Sequence, residues 1–177
     1  MALNNKTVLL AAAGLTVAAV AVRAKALPAI ALPATNGTRA FTKFDALLLV
    51  QRYDVQYYRG WFSQNGRSHK DVMAIFAVES GFDPLAYNGA WGIGQMLATT
   101  AADFGVLNPT QLFKPEIAIK ATMDYLKWSH GYLTNSLGRT PSRDEWIGAY
   151  NYGVGNVSKG RIPYAYLLKW QALRAFV

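Results

Sequence analysis

The chain has no cysteine, only two histidines, and ten acidic residues among 177. Without cysteine there is no disulfide, no thiolate nucleophile and no zinc–thiolate site. His69 and His130 are too few for a metal constellation. One sits in the first turn of a helix and the other beside Gly131 at a helix end, places that suit surface residues better than ligands. Neither a strand-like alternation nor an internal repeat persists over a useful length. The glycine-rich stretch from Gly89 to Gly94 runs into Gln95, not into a Lys-Ser or Lys-Thr pair, so it is no phosphate-binding loop. No metal and no cofactor is implied.

Positive charge is in excess, formally +8, but unevenly spread. Residues 1–43 hold five bases and no acid; residues 44–177 hold thirteen bases against ten acids. The high pI of about 9.8 therefore belongs mainly to the N-terminal segment, and no nucleic-acid partner follows from it. Within that segment Thr7 to Val22 is uncharged and apolar, with Lys6 before it and Arg23 and Lys25 after it. As a helix it would reach about 24 Å, short of a ~30 Å hydrocarbon core. Snorkelling of Lys6 and Arg23 closes part of that gap. A signal peptide is the competing reading, with Ala24-Lys25-Ala26 as the small-X-small site. The basic cluster at that site disfavours cleavage. Residues 1–26 are therefore expected to be a retained membrane anchor, which makes a lipid membrane a partner. Residues 27–43, with Pro28, Pro33, Asn36 and Gly37, read as a linker. Residues 44–177 have the length of one domain.

Three capping boxes punctuate that domain. Thr42 and Asp45 open a helix from Phe44 to about Arg59, closed by Gly60. Ser68 and Asp71 open one that ends at Ser80 before Gly81. Ser142 and Glu145 open a third, which ends in Ala149-Tyr150-Asn151-Tyr152-Gly153. Further helices are expected over 99–104 and 115–128. Pro163 opens the last, with Tyr164, Leu167, Leu168 and Phe176 near one face. A small hairpin fits around Tyr87–Gly94. The fold expected is mostly α, with a glycine-rich loop lining a cleft.

Glu79 stands out. Val72, Ile75, Phe76 and Glu79 fall on one face of the second helix. A carboxyl at the end of an apolar stripe should have its pKa raised by burial and so hold a proton to give. The plain alternative is a solvated glutamate at a frayed helix end, or one paired with a nearby arginine. Three segments follow in order: Glu79-Ser80, the loop Gly89-Ala90-Trp91-Gly92-Ile93-Gly94-Gln95, and Ala149-Tyr150-Asn151 with Gly153 and Gly155. Between the last two lies Leu112-Phe113-Lys114-Pro115-Glu116-Ile117, with Tyr125-Leu126 beyond.

These motifs, spanning residues 68–160, resemble the lytic transglycosylase domain of the soluble-lytic-transglycosylase type, related in fold to goose-type lysozyme. The chain departs from the commonest pattern at Gly94, where methionine is frequent, at Ala98, where proline is usual, and at Thr122, which replaces a usual glycine. Asn88 lies near a position often held by serine. None of these removes the acid. The resemblance implies cleavage of the β-1,4 bond between N-acetylmuramic acid and N-acetylglucosamine in peptidoglycan. It makes Glu79 the single acid and base, with 1,6-anhydromuramyl products. Ser80, Gln95, Tyr150 and Asn151 are the matched positions that would orient Glu79 or hold sugar, and Asn88 and Leu97 are further subsite candidates. Tyr87, Trp91 and Tyr152 are expected at the same cleft. Asp83 is the acid nearest in sequence and the one a hydrolysing muramidase would recruit. A non-catalytic glycan-binding virion or envelope component is the reading from another class. An anchored enzyme of this type has two natural homes, a bacterial inner membrane or a phage particle with an internal membrane. The chain's size and its lack of a lipidated cysteine and of wall-binding repeats favour the virion. Virion or envelope-assembly proteins would then be further partners.

Overall fold

The computed structural model describes residues 40–177. In chain order the helices are α1 (Lys43–Tyr58), α2 (Trp61–Gln64), α3 (His69–Ser80), α4 (Ala98–Asp103), a 3-10 turn (Pro109–Phe113), α5 (Pro115–Leu137), α6 (Arg143–Tyr152), α7 (Val154–Val157) and α8 (Tyr164–Arg174). No strand forms among the described residues. The hairpin expected near Tyr87 reduces to two isolated bridges, Tyr87 with Trp91 and Trp91 with Met96.

All three capping boxes form, with the reciprocal side-chain and backbone bonds in place at Thr42/Asp45, Ser68/Asp71 and Ser142/Glu145. Because Thr42 is the N-cap, α1 begins at Lys43, inside the stretch read as linker. α1 also ends one residue early. Arg59 takes the left-handed cap (φ 54°) and Gly60 starts the turn into α2.

The core is built on α3. Val72, Ala74, Ile75 and Phe76 are fully buried, as are Phe62, Ile119, Leu126, Trp146 and Ile147. α3 packs on α1 and, most extensively, on α8. α5 packs on α1 and α6. Both buried indoles are satisfied: Trp146 Nε1 donates to the Leu126 carbonyl (2.8 Å) and Trp170 Nε1 to that of Asp71 (3.1 Å). A buried indole N–H without a partner would cost a large part of its burial energy.

Three expectations are corrected. α5 does not stop near Trp128 but runs to Leu137, where Gly138 (φ 65°) caps it. Burial of Ser129, His130 and Leu133 on its inner face carries the helix through Gly131. His130 is therefore buried mid-helix, edge-on to Trp61 at 5.0 Å, and is not a surface residue. His69 is also partnered. Its Nε2 lies 2.8 Å from Asp54 Oδ2, and the buried Asp54 carboxylate also accepts from the Phe62 N–H and the Ser63 hydroxyl. Finally, α8 buries Tyr166, Leu167 and Trp170, while Tyr164, Leu168 and Phe176 face solvent. The large Trp170 ring, not the count of aliphatic residues, sets the buried stripe.

Asp71 is both capping residue and clamp. Fully buried, it receives Arg174 Nε from α8 at 2.5 Å and Arg143 Nε from α6 at 3.4 Å. The start of α3 is thereby tied to the last turn of α8. Among the described residues no helix is long and apolar enough to cross a membrane. The anchor expected over 1–26, and the linker up to residue 39, lie outside the described residues.

Candidate active site

α3 ends in two consecutive left-handed residues, Gly81 (φ 62°) and Phe82 (φ 70°). Phenylalanine rarely adopts that conformation. Here its N–H reaches back to the Phe76 carbonyl at 3.3 Å. The reversal leaves Glu79 half-buried at the helix end, in the wall of a cleft of about 420 Å³. The remaining walls come from Gln95, Met96 and Leu97 of the loop, Thr100 of α4, Tyr125 of α5, and Tyr150, Asn151, Tyr152 and Gly153 at the end of α6. Glu79 is the only carboxylate among them.

The loop wall is stiff for identifiable reasons. Gln95 holds φ at 46°, a strain of about 1–3 kcal/mol. Its backbone N–H donates to the Gly92 carbonyl (3.0 Å), and its side-chain amide to the carbonyls of Ala86 (2.9 Å) and Gly92 (2.8 Å). Ser80 Oγ donates to the Ile93 carbonyl at 2.8 Å, bonding the acid's neighbour to the same loop. Gly92 and Gly94 of the loop face the protein's own atoms. A Cβ on Gly92 would overlap the backbone oxygen of Leu112. One on Gly94 would overlap Thr122 Oγ1 and come within 2.9 Å of the Tyr150 hydroxyl. Both glycines are required by the protein's own packing.

Gly94 and Thr122, two of the departures from the commonest pattern, thus meet each other. The Tyr150 hydroxyl donates to the Gly94 carbonyl at 2.6 Å. Its one proton is spent there, so Thr122, 3.3 Å away, is the donor in the second contact. Thr122 fills the space a side chain on residue 94 would take and supports the tyrosine across the cleft floor.

Glu79 has a partner that the motifs do not include. Tyr166 of α8 donates its hydroxyl to Glu79 Oε1 at 2.8 Å. Burial pushes the Glu79 carboxyl above the usual carboxylate value, and the Tyr166 bond opposes this without reversing it. Burial and the neighbouring Glu79 hold the Tyr166 phenol far above its ordinary range, so it stays a donor. The arrangement can present a carboxyl proton to a bound oxygen and accept one back.

Of the residues singled out from the sequence, Gln95, Leu97, Tyr150, Asn151 and Tyr152 line the cleft with Glu79. Ser80 is a brace behind the wall. Asn88 sits exposed on the outer turn, its N–H on the Ala90 carbonyl at 3.3 Å. Tyr87 and Trp91 do not line the cleft either. Their rings pack tilted against each other at 4.5 Å, and Trp91 continues onto Phe113 at 5.2 Å. Asp83 accepts the Leu85 N–H at 2.8 Å in an Asx turn and faces a different groove, shared with Phe41 and Leu85. Tyr166 was legible only through Trp170: one turn back from the largest apolar residue of α8 lies Tyr166, not Tyr164. A larger groove of about 620 Å³ runs between Phe44 and Leu47 of α1 and Met73 of α3, rimmed by Lys43 and Lys70. It carries no Asp or Glu side chain.

The family model described as the transglycosylase SLT domain matches residues 56–165. The chain belongs to this family. Its members are lytic transglycosylases acting on peptidoglycan, and this enzyme is one of them. The matched span holds the whole cleft wall from Glu79 to Gly153 and stops one residue short of Tyr166. The transglycosylase therefore draws the hydrogen bond on Glu79 from just beyond that span. Its substrate makes it an enzyme of the periplasm or cell envelope.

Proposed function

We propose that Glu79 is the sole acid and base in cleavage of the β-1,4 bond between N-acetylmuramic acid and N-acetylglucosamine. The observation that carries this reading is a lone, half-buried carboxyl with a raised pKa in the cleft wall. In the first step Glu79 gives its proton to the glycosidic oxygen as the C1–O bond breaks. The substrate's own N-acetyl carbonyl stabilises the sugar cation, a role a second carboxylate fills in most glycosidases. The Glu79 carboxylate, steadied by Tyr166, then takes the proton of the muramyl 6-hydroxyl. That oxygen bonds to C1, giving the 1,6-anhydro end and restoring the acid.

Gln95, Leu97, Tyr150 and Asn151 line the path of the sugar, and Ser80 positions the loop. Asn88 has no place in this scheme. The biological setting proposed is local wall opening, by a phage particle during genome entry or by an envelope-spanning assembly. Residues 1–26 would serve as the anchor and the following segment as tether. Finding the chain in purified virions or in a bacterial envelope fraction decides between the two.

Digestion of purified sacculi followed by mass spectrometry of the muropeptides tests the chemistry. Anhydro ends, lighter by one water than reducing ends, are expected. Reducing ends alone would overturn the proposal in favour of a hydrolysing muramidase. Equal clearing of a wall-containing gel by wild type and Glu79→Gln would remove Glu79 from catalysis, and no clearing by either would favour a glycan-binding role.

A further inference from the structure

The cleft does not end at the neighbours of Glu79. Thr100, Tyr125 and Gly153 line both it and an adjoining groove of about 480 Å³, walled by Phe104 and Trp128. On α5, Tyr125, Trp128 and Tyr132 stand three and four residues apart and so share one face. Their ring centroids step 5.7 Å from Tyr125 to Trp128 and 5.6 Å from Trp128 to Tyr132. Phe104 holds Tyr125 and Trp128 edge-on at 5.9 and 6.0 Å. Tyr125 is buried, its hydroxyl on the Ala149 carbonyl, whereas Trp128 is 47% and Tyr132 40% exposed. The row of rings thus leaves the cleft wall and emerges on the surface.

Single exposed rings are ordinary on a protein surface, but a contiguous row of them marks binding. Asp103 and Thr100 lie in the same groove. Flat apolar faces with a few polar groups at their edge match a pyranose, which has an apolar C–H face and a polar rim. The seven steps from Tyr125 to Tyr132 advance about 10 Å along the helix, room for about two sugar rings.

We propose that Trp128 and Tyr132 form a platform that carries a β-1,4-linked, N-acetylated glycan strand beyond the acid, so that long strands bind better than short ones. The proposal rests on the reading of the Glu79 cleft as a glycan site. A row of rings that merely stiffened α5 would affect melting but not the dependence of binding on strand length.

Calorimetry on the whole chain carrying Glu79→Gln, which cannot turn over, is the test. The probes are the tetrasaccharide and octasaccharide of N-acetylglucosamine. Adding Trp128→Ala and Tyr132→Ala should weaken octasaccharide binding about fivefold or more, and tetrasaccharide binding by less than about twofold. Trp128→Phe, which keeps a ring, should retain most of the preference for the longer strand. Equal losses for both lengths, or no loss for either, overturn the platform. If the parent protein binds neither oligosaccharide, the glycan reading of the cleft fails first, and the platform with it.

Discussion

Adding one methyl group at Gly94 tests how tightly the loop is wedged against its support. In Gly94→Ala the new Cβ would overlap Thr122 Oγ1 and lie within 2.9 Å of the Tyr150 hydroxyl, closer than real Cβ contacts allow. Something must move, and both neighbours are constrained: Thr122 is fully buried, and Tyr150 is held by the Gly94 carbonyl itself. Overpacking of this kind costs about 1–3 kcal/mol. Displacing the 2.6 Å tyrosine bond adds about 0.5–1.5 kcal/mol. For a domain of this size the melting temperature should fall by roughly 5–15 °C. Turnover should fall with it, because Tyr150 is part of the cleft wall. Thr122→Ala removes the oxygen that blocks the methyl group. Combined with Gly94→Ala it should recover about half of the loss or more, a coupling of about 1 kcal/mol or above. Differential scanning calorimetry of the two single variants and the double variant reads this directly. A Gly94→Ala protein that melts with wild type, or a double variant that melts at the sum of the singles, would show that residues 94 and 122 do not compete for the same space.

Glu79→Gln should abolish lysis and stabilise the protein near neutral pH. A carboxyl whose pKa is raised by the fold costs nothing below the unfolded value of about 4.3, an increasing amount between the two values, and a constant amount above the folded one. Melting at neutral pH and at mild acid checks it, and equal shifts at both would mean a solvated carboxylate. For the same reason, wild-type activity should decline as pH rises through the folded value. Tyr166→Phe removes a bond that favours the charged carboxylate, so the alkaline limb of the pH–rate profile should move upward. An unmoved limb would place Tyr166 outside the acid's working environment. Arg174→Met strips the closest partner from the buried Asp71, leaving Arg143 at 3.4 Å. Since Arg174 is partly exposed, the loss should be about 2–4 kcal/mol, read by chemical denaturation, below the 3–5 expected of a fully buried pair. A loss under about 0.5 kcal/mol would show that the clamp does not hold α8.

The starts of α1, α3 and α6 were readable because each is set by two side chains three residues apart, a short-range signal that tertiary contacts do not override. Helix ends were less so. Gly131 looks like a stop, but burial of His130 before it and Leu133 beyond it outweighs its modest propensity cost. The face of α8 was misjudged because four apolar residues were weighed equally, while the fold follows Trp170. At the cleft, Glu79, Gln95, Tyr150 and Asn151 sit in local motifs and could be found. The reason for the loop glycines could not, since Leu112 and Thr122 approach them from distant parts of the chain. Tyr166 was missed for the same reason. Its partner lies 87 residues earlier, and only the spacing to Trp170 distinguishes it from the more exposed Tyr164.

The separation of Glu79 from Tyr166 also bears on how the enzyme is made. A ribosome releases α3, the loop and α6 before α8. For part of its synthesis the chain therefore holds the acid and most of the cleft wall without the phenol that steadies them. The clamp that seats α8 joins residues still further apart, 103 positions along the chain. The first contact needs the chain to have reached Tyr166 and the second Arg174. A polypeptide stalled or cut before Pro163 would carry every motif of the family and an acid with no donor. The Glu79 carboxyl thus gains its donor only after α3, the loop and α6 have all been made, and the order of synthesis itself delays its hydrogen bond.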